Sequence, residues 1–196
     1  MTQSFTDPGD VVLAGQNPFM MLFSGDGPPS SIVSFWRVHF SPAGTGHALY
    51  VRSELTGGEP RIYADNVPLA RYIQSEIYAN NARPFGFFAA LGIPVTDAVF
   101  AQSGDPRSAL TETIRTAVDT IELTWSDFLP AFKGATAANA SEGRGHGHYA
   151  LYIPARHARL AIDGKVAGGE PRPAKRDGRD NSSAGLAWSE TWVRPH

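Results

Sequence analysis

Residues 31–54 read SIVSFWRVHF, SPAGTG and HALYVRSE in succession, and this stretch decides the fold. Two runs rich in β-branched and aromatic residues flank six residues carrying Pro42, Gly44 and Gly46, the composition of a β-hairpin and its turn. Side chains alternate faces along a strand. Ile32, Ser34, Trp36, Val38 and Phe40 therefore share one side of the first strand, and Val33, Phe35, Arg37 and His39 the other. With Phe40 opposite His47, Arg37 faces Tyr50 and Phe35 faces Arg52. That register gathers Arg37, His39, Tyr50, Arg52 and Glu54 on one face; a slip of one residue would scatter them. Two readings of the face follow. In one it is solvated and laced by cross-strand charge pairs. In the other, which Val33 and Phe35 among the charges support, it is a polar site inside a barrel or sandwich.

Working outward, residues 10–23 are apolar but interrupted by Gly15, Asn17 and Pro18, which predicts two short extended pieces. After the hairpin, Asp65 or Asn66 caps a helix near residues 66–80, with Pro68 in its first turn and an apolar stripe at Leu69, Ile73 and Ile77. Such a helix either lids a barrel mouth or packs outside the sheet. Residues 93–102 read as a strand, and the threonine-rich 109–128 as strands broken near Asp119. Residues 133–147 read as a mobile loop, 148–154 and 158–162 as two strands, 163–181 as a long connection, and 183–193 as a closing strand.

Composition agrees with this pattern. The 196 residues are 42% apolar and 18% charged, enough for one domain, 1–196, with a real core. The 20 glycines and 15 prolines suit many short strands and turns. A net charge of −2 gives no nucleic-acid footprint. The absence of cysteine excludes disulfides, thiolate metal sites and cysteine catalysis. The first ten residues carry no signal-peptide pattern and no apolar run reaches the length of a membrane span, so a cytoplasmic location without a membrane partner is expected. The fold class is all-β: a barrel or twisted sandwich of about eight to ten strands with one short helix. Its general architecture resembles that of lipocalins and related calycins, an analogy of shape that rests on strand count.

Function is then read from the interior. Phe35, Trp36, Tyr63, Trp125, Tyr152 and Trp188 are candidates to line a small-molecule site. His39 can shuttle protons near neutral pH, Arg37 and Arg52 can hold a carboxylate or an enolate oxygen, and Tyr50 can donate a hydrogen bond. Glu54 and Glu190 are candidate bases. Glu190 shares its strand face with Leu186, Trp188 and Trp192, a setting that favours the neutral acid. This set favours a cofactor-independent lyase, isomerase or hydratase that moves protons on an organic substrate, with aromatic substrates included in the class. The alternatives are a non-catalytic carrier of an apolar ligand and a metalloprotein holding a divalent transition metal on His146, His148 and His157. A homodimer with Trp188 and Trp192 at its interface is a further alternative. No phosphate-binding glycine loop and no nucleophile elbow is present.

Overall fold

A computed structural model of the chain describes residues 10–80, 84–139 and 145–195. Residues 1–9, the greater part of a polar N-terminal arm expected at residues 1–10, and residues 140–144 of the glycine-rich segment lie outside the described residues. The chain runs through β1 (Val11–Phe23), β2 (Ser31–Phe40), β3 (Gly46–Ser53) and β4 (Arg61–Ala64), then helix α1 (Val67–Tyr72), which widens into a π-helical segment, Ile73–Tyr78. There follow β5 (Val95–Asp97), β6 (Val99–Asp105), β7 (Ala109–Arg115), β8 (Thr120–Phe128), β9 (Phe132–Thr136) and β10 (Gly147–Ile162). Short strands β11 (Lys165–Val166) and β12 (Glu170–Pro171), a hairpin of β13 (Pro173–Arg176) and β14 (Arg179–Ser182), and β15 (Ala184–Val193) complete it. The main sheet has the order β5-β4-β3-β2-β1-β15-β10-β8-β7-β6 and curls into a nearly closed barrel, as the composition led us to expect. The β13–β14 hairpin is a separate two-stranded sheet. No helix among the described residues is long and apolar enough to cross a membrane.

Alternation builds two cores on the two faces of this sheet. Inside the barrel, Met20, Val33, Phe35 and Leu49 meet Leu110, Ile121, Leu123, Trp125 and Leu160. The Trp125 indole donates to the Phe19 carbonyl at 2.9 Å, so its one polar atom is satisfied. Outside the barrel, Ile32, Trp36, Tyr50 and Ile62 form a second core with Leu69, Ala70, Ile73 and Ile77 of the helix. Asn66 caps that helix by accepting from the Leu69 amide at 3.1 Å, and the Tyr50 hydroxyl donates to the Ala70 carbonyl at 2.6 Å. The helix thus packs on the outside of the wall. Because it covers one face of β2 while the barrel fills the other, six consecutive residues, Ser31 to Trp36, are buried.

The hairpin register differs from the expected one. His47 lies opposite Arg37, three residues along β2 from Phe40, and Tyr50 lies opposite Ser34. The cause is a longer connection than a six-residue turn. Ser41 closes a tight turn with Gly44, Gly44 and Gly46 both take positive φ, and Val38 is the last residue of β2 to pair with β3. An odd shift exchanges faces. Arg37 therefore sits on the barrel side with Phe35 and Leu49, and Tyr50 on the helix side with Ser34 and Trp36, so the five residues expected on one face are divided.

Other boundaries moved as well. Residues 11–23 form one strand, because register shifts against β2 and β15 absorb Gly15 and Asn17 without ending it. Gly15 is required there: a Cβ would lie 2.3 Å from the Arg37 carbonyl oxygen. Residues 147–162 are likewise one strand, and 132–136 pair with it as β9 instead of joining the loop. The long connection 163–181 carries β11 and β12 and the β13–β14 hairpin, which turns at Asp177 and Gly178, both at positive φ.

Candidate functional site: a cleft outside the barrel wall

One extra residue in β15 places the site. From Gly15 to Asn17 the neighbouring strand β1 advances two residues while β15 advances three, from Glu190 to Ala187, and β10 shows the same offset between Tyr149 and Leu151. The surplus residue is Ser189, in the left-handed region at φ 52°. A bulge of this kind reverses the facing of everything beyond it. Leu186 and Trp188 pack into the barrel core, whereas Glu190 and Trp192 turn to the outer face. Strict alternation had placed all four together, and the bulge separates them.

On that outer face the wall, the end of the helix and the β13–β14 hairpin enclose a cleft of about 300 Å³. Its floor comes from Asn17, Phe19 and Met21 of β1 and Ser34 and Trp36 of β2. Ile77, Tyr78 and Phe85 close the helix side, and Arg176, Asn181 and Ser182 the hairpin side. Glu190, Trp192, His148 and Tyr152 complete it from β15 and β10. Glu190 is 5% exposed and His148 is 7% exposed, so a carboxyl and an imidazole are both withdrawn from water while facing a cavity.

Contacts between these groups run in order along one wall. The Trp192 indole donates to Glu190 Oε1 at 2.6 Å. The His148 ring stacks on Trp192, centroids 4.8 Å apart, and its Nε2 lies 2.7 Å from the Tyr152 hydroxyl. The Arg176 guanidinium lies over the Tyr152 ring at 4.7 Å. Gly134 of β9 makes room for this arrangement, since a Cβ there would come within 2.4 Å of the Tyr152 ring. A second network holds the floor. Tyr78 accepts from the Trp36 indole at 2.9 Å and donates to Ser34 Oγ at 2.9 Å, and the Asn17 amide donates to Ser34 Oγ at 3.0 Å. Burial pushes the Tyr78 hydroxyl well above the usual phenol range, against the opposing effect of its hydrogen bonds to Ser34 and Trp36, so it stays a neutral phenol. The floor is therefore hydrogen-bonded and uncharged, and the ionisable side chains Glu190, His148 and Arg176 come from other elements of the lining.

Three of the residues named from sequence meet in this cleft: Trp36, Tyr152 and Glu190. His148, read from sequence as a metal ligand, joins them as an imidazole beside Tyr152. The others go elsewhere. His39, Arg52 and Glu54 are exposed: Arg52 donates to the Gly58 carbonyl at 2.9 Å, and Glu54 accepts from the Gly168 amide at 2.7 Å. Tyr50 is covered by the helix. Phe35, Tyr63 and Trp125 belong to the barrel core, with the Tyr63 hydroxyl donating to Asp119 at 3.0 Å, and Trp188 is half-buried against that core. Trp188 and Trp192 are thus covered within the chain and do not form the exposed pair imagined for a dimer interface. The three histidines proposed for a metal are not brought together: His146 pairs with Glu76 at 3.0 Å, His148 with Tyr152, and His157 is 66% exposed beside Asp127 and Glu170. No cluster of three or more potential metal ligands occurs among the described residues.

Arg37 forms a different polar site, inside the barrel. It donates to both oxygens of Glu112, at 3.0 and 3.1 Å, and Gln102 donates to the same carboxyl at 2.7 Å. Glu112 is 1% exposed, and burial raises it to about 7 against the opposing pull of Arg37. His47, the cross-strand neighbour of Arg37, has Nδ1 2.6 Å from Asp65 and stacks on Phe100.

Sequence reading missed Asn17, Ser34, Tyr78 and Arg176 as site residues. A signal existed for two of them. Asn17 and Ser34 are small polar residues at buried parity in otherwise apolar strands, where a satisfied network or a site is required. Tyr78 and Arg176 come from elements whose placement the sequence does not specify.

Comparison with protein families, with curated proteins and with solved structures returned no match for this chain. What the fold and the site define is a class only: a barrel-like all-β protein with a mostly apolar cleft, carrying a few polar groups, between its outer face and a short helix.

Proposed function

We propose that the outer cleft is a small-molecule site in which Glu190 and His148 carry out cofactor-independent proton transfer, as in a lyase, isomerase or hydratase. The observation that carries this reading is the placement of a buried carboxyl, re-aimed by the one-residue bulge in β15, and a buried imidazole from β10 on one wall of a cavity. A withdrawn carboxylate that accepts from the Trp192 indole can serve as a base, and an imidazole beside a phenol can return the proton. The barrel itself is compatible with a ligand-binding interior. The outer cleft is preferred because it joins a cavity to acid–base groups.

The test is hydrogen–deuterium exchange followed by proton NMR. Enolisable aryl ketones and 2-keto acids are incubated with the protein in D2O, and exchange is compared with that of Glu190→Gln and His148→Ala. The reading expects catalysed exchange by the wild type and a loss of about 10²-fold in each variant. Exchange that persists in Glu190→Gln would remove the mechanism.

A second reading, a carrier without chemistry, is favoured by the mostly apolar lining of Phe19, Met21, Trp36, Ile77 and Phe85. It expects a ligand retained through purification and visible by native mass spectrometry, with no catalysed exchange.

A further inference from the structure

Among the described residues lining the cleft, Arg176 is the one arginine or lysine, and its donors are unspent. It is half-buried, arrives on a hairpin outside the main sheet, and lies over the Tyr152 ring. A cation–π contact needs no hydrogen bond from the five N–H donors of the guanidinium. Among the described residues Arg176 makes no ion pair and no hydrogen bond. Its hairpin neighbours differ: Lys175 is ion-paired with Asp180, and both line a separate cavity on the other side. A guanidinium drawn out of water without an anion is costly unless an anion arrives from outside.

Position matters as much as charge. Between Arg176 and Glu190 stand Tyr152, His148 and Trp192, each touching the next, so the cation and the carboxyl occupy opposite ends of one wall. An anion seated on Arg176 is therefore held away from Glu190, while the body of the same molecule lies along the aromatic span between them.

We propose that the ligand is an organic acid: a planar, apolar small molecule whose carboxylate pairs with Arg176 and whose far end meets Glu190. The inference rests on the reading that this cleft binds a ligand, and it adds the ligand's class and orientation. The carboxylate is a match for the forked N–H donors of arginine. The volume limits the body to a mono- or bicyclic molecule of roughly fifteen non-hydrogen atoms.

Isothermal titration calorimetry with 2-naphthoate and its neutral isostere 2-naphthamide separates the two claims. The wild type is expected to bind 2-naphthoate at least tenfold more tightly than 2-naphthamide at low salt, a preference that weakens as salt is added. Arg176→Gln is expected to abolish the preference and leave 2-naphthamide affinity within about twofold. Arg179→Gln, on the same hairpin but outside the cleft lining, should keep it. Equal binding of the two probes by the wild type, or an equal loss of both in Arg176→Gln, overturns the organic-acid assignment and leaves the cleft as a ligand site. Binding of neither probe overturns both.

Discussion

Glu112 and Glu190 are buried carboxyls on opposite sides of one sheet, and they differ in what surrounds them. Glu112 faces the barrel core between Leu110 and Ile114 and is enclosed by Arg37 and Gln102. Its side chain is 1% exposed. Glu190 faces a cavity, accepts from the Trp192 indole, and lies on the same wall as an imidazole. The comparison teaches that burial alone does not mark a functional acid. The internal pair is a structural joint, neutralised by its own arginine. The outer carboxyl is placed where a small molecule can reach it. An expensive group beside empty space is the stronger sign of function.

The bulge that separates the two environments gives the most drastic test. Deleting Ser189 makes β15 a regular strand, which drives Glu190 and Trp192 toward the barrel core or Leu186 and Trp188 out of it. Either outcome places a carboxyl in an apolar core or exposes large apolar surface. The deletion is expected to abolish cooperative unfolding in urea and the near-ultraviolet circular dichroism of the tryptophans. A deletion protein with a wild-type transition would show that the facing of β15 is not set by the bulge.

The internal pair comes next in size. Removing the cation in Arg37→Gln leaves Glu112 buried without a counter-charge, at a cost of about 3 kcal/mol at pH 8, the low end for a broken buried pair because Arg37 reaches solvent. The cost should shrink at pH 5, where Glu112 is protonated. In the wild type the folded carboxyl titrates at about 7, above its ordinary value of 4.5. The folded state therefore binds the extra proton between those values, and this group makes stability fall as pH rises from 4.5 to about 7, with no further change above. Urea titrations across that range check both statements. A cost for Arg37→Gln that is the same at pH 5 and pH 8 would break the assigned pairing.

Smaller still is Tyr78→Phe in the cleft floor. Losing the hydroxyl strands the Trp36 indole N–H and removes a donor to Ser34, which costs about 1–2 kcal/mol. Because the floor carries no charge, this loss should be flat between pH 5 and pH 8, in contrast to Arg37→Gln. A pH-dependent loss would mean that the floor is coupled to the ionisable wall.

Much of the fold could be read without coordinates because it follows from local periodicity. The β-branched, alternating runs of β2, β3 and β8 and the i, i+4 stripe of the helix each need a nearby apolar surface, and that need is written in a few consecutive residues. Glu190 and Trp36 were visible for the same reason, as residues at positions that demand burial. Glu112 was visible in principle, an acid at core parity between Leu110 and Ile114. The register of the hairpin was not. It depended on how Ser41, Gly44 and Gly46 shaped a turn, and an error of three residues reversed the facing of Arg37 relative to Tyr50.

The amino-acid order by itself determined that this chain would form a strongly twisted β sheet with one helix, since alternation and stripe are properties of neighbours along the chain. Only the tertiary structure decided where acid, imidazole and guanidinium meet. That meeting depends on a left-handed serine, on the helix packing outside the wall, and on a hairpin folding back over it. Each brings together residues far apart in sequence, and no local preference encodes such encounters.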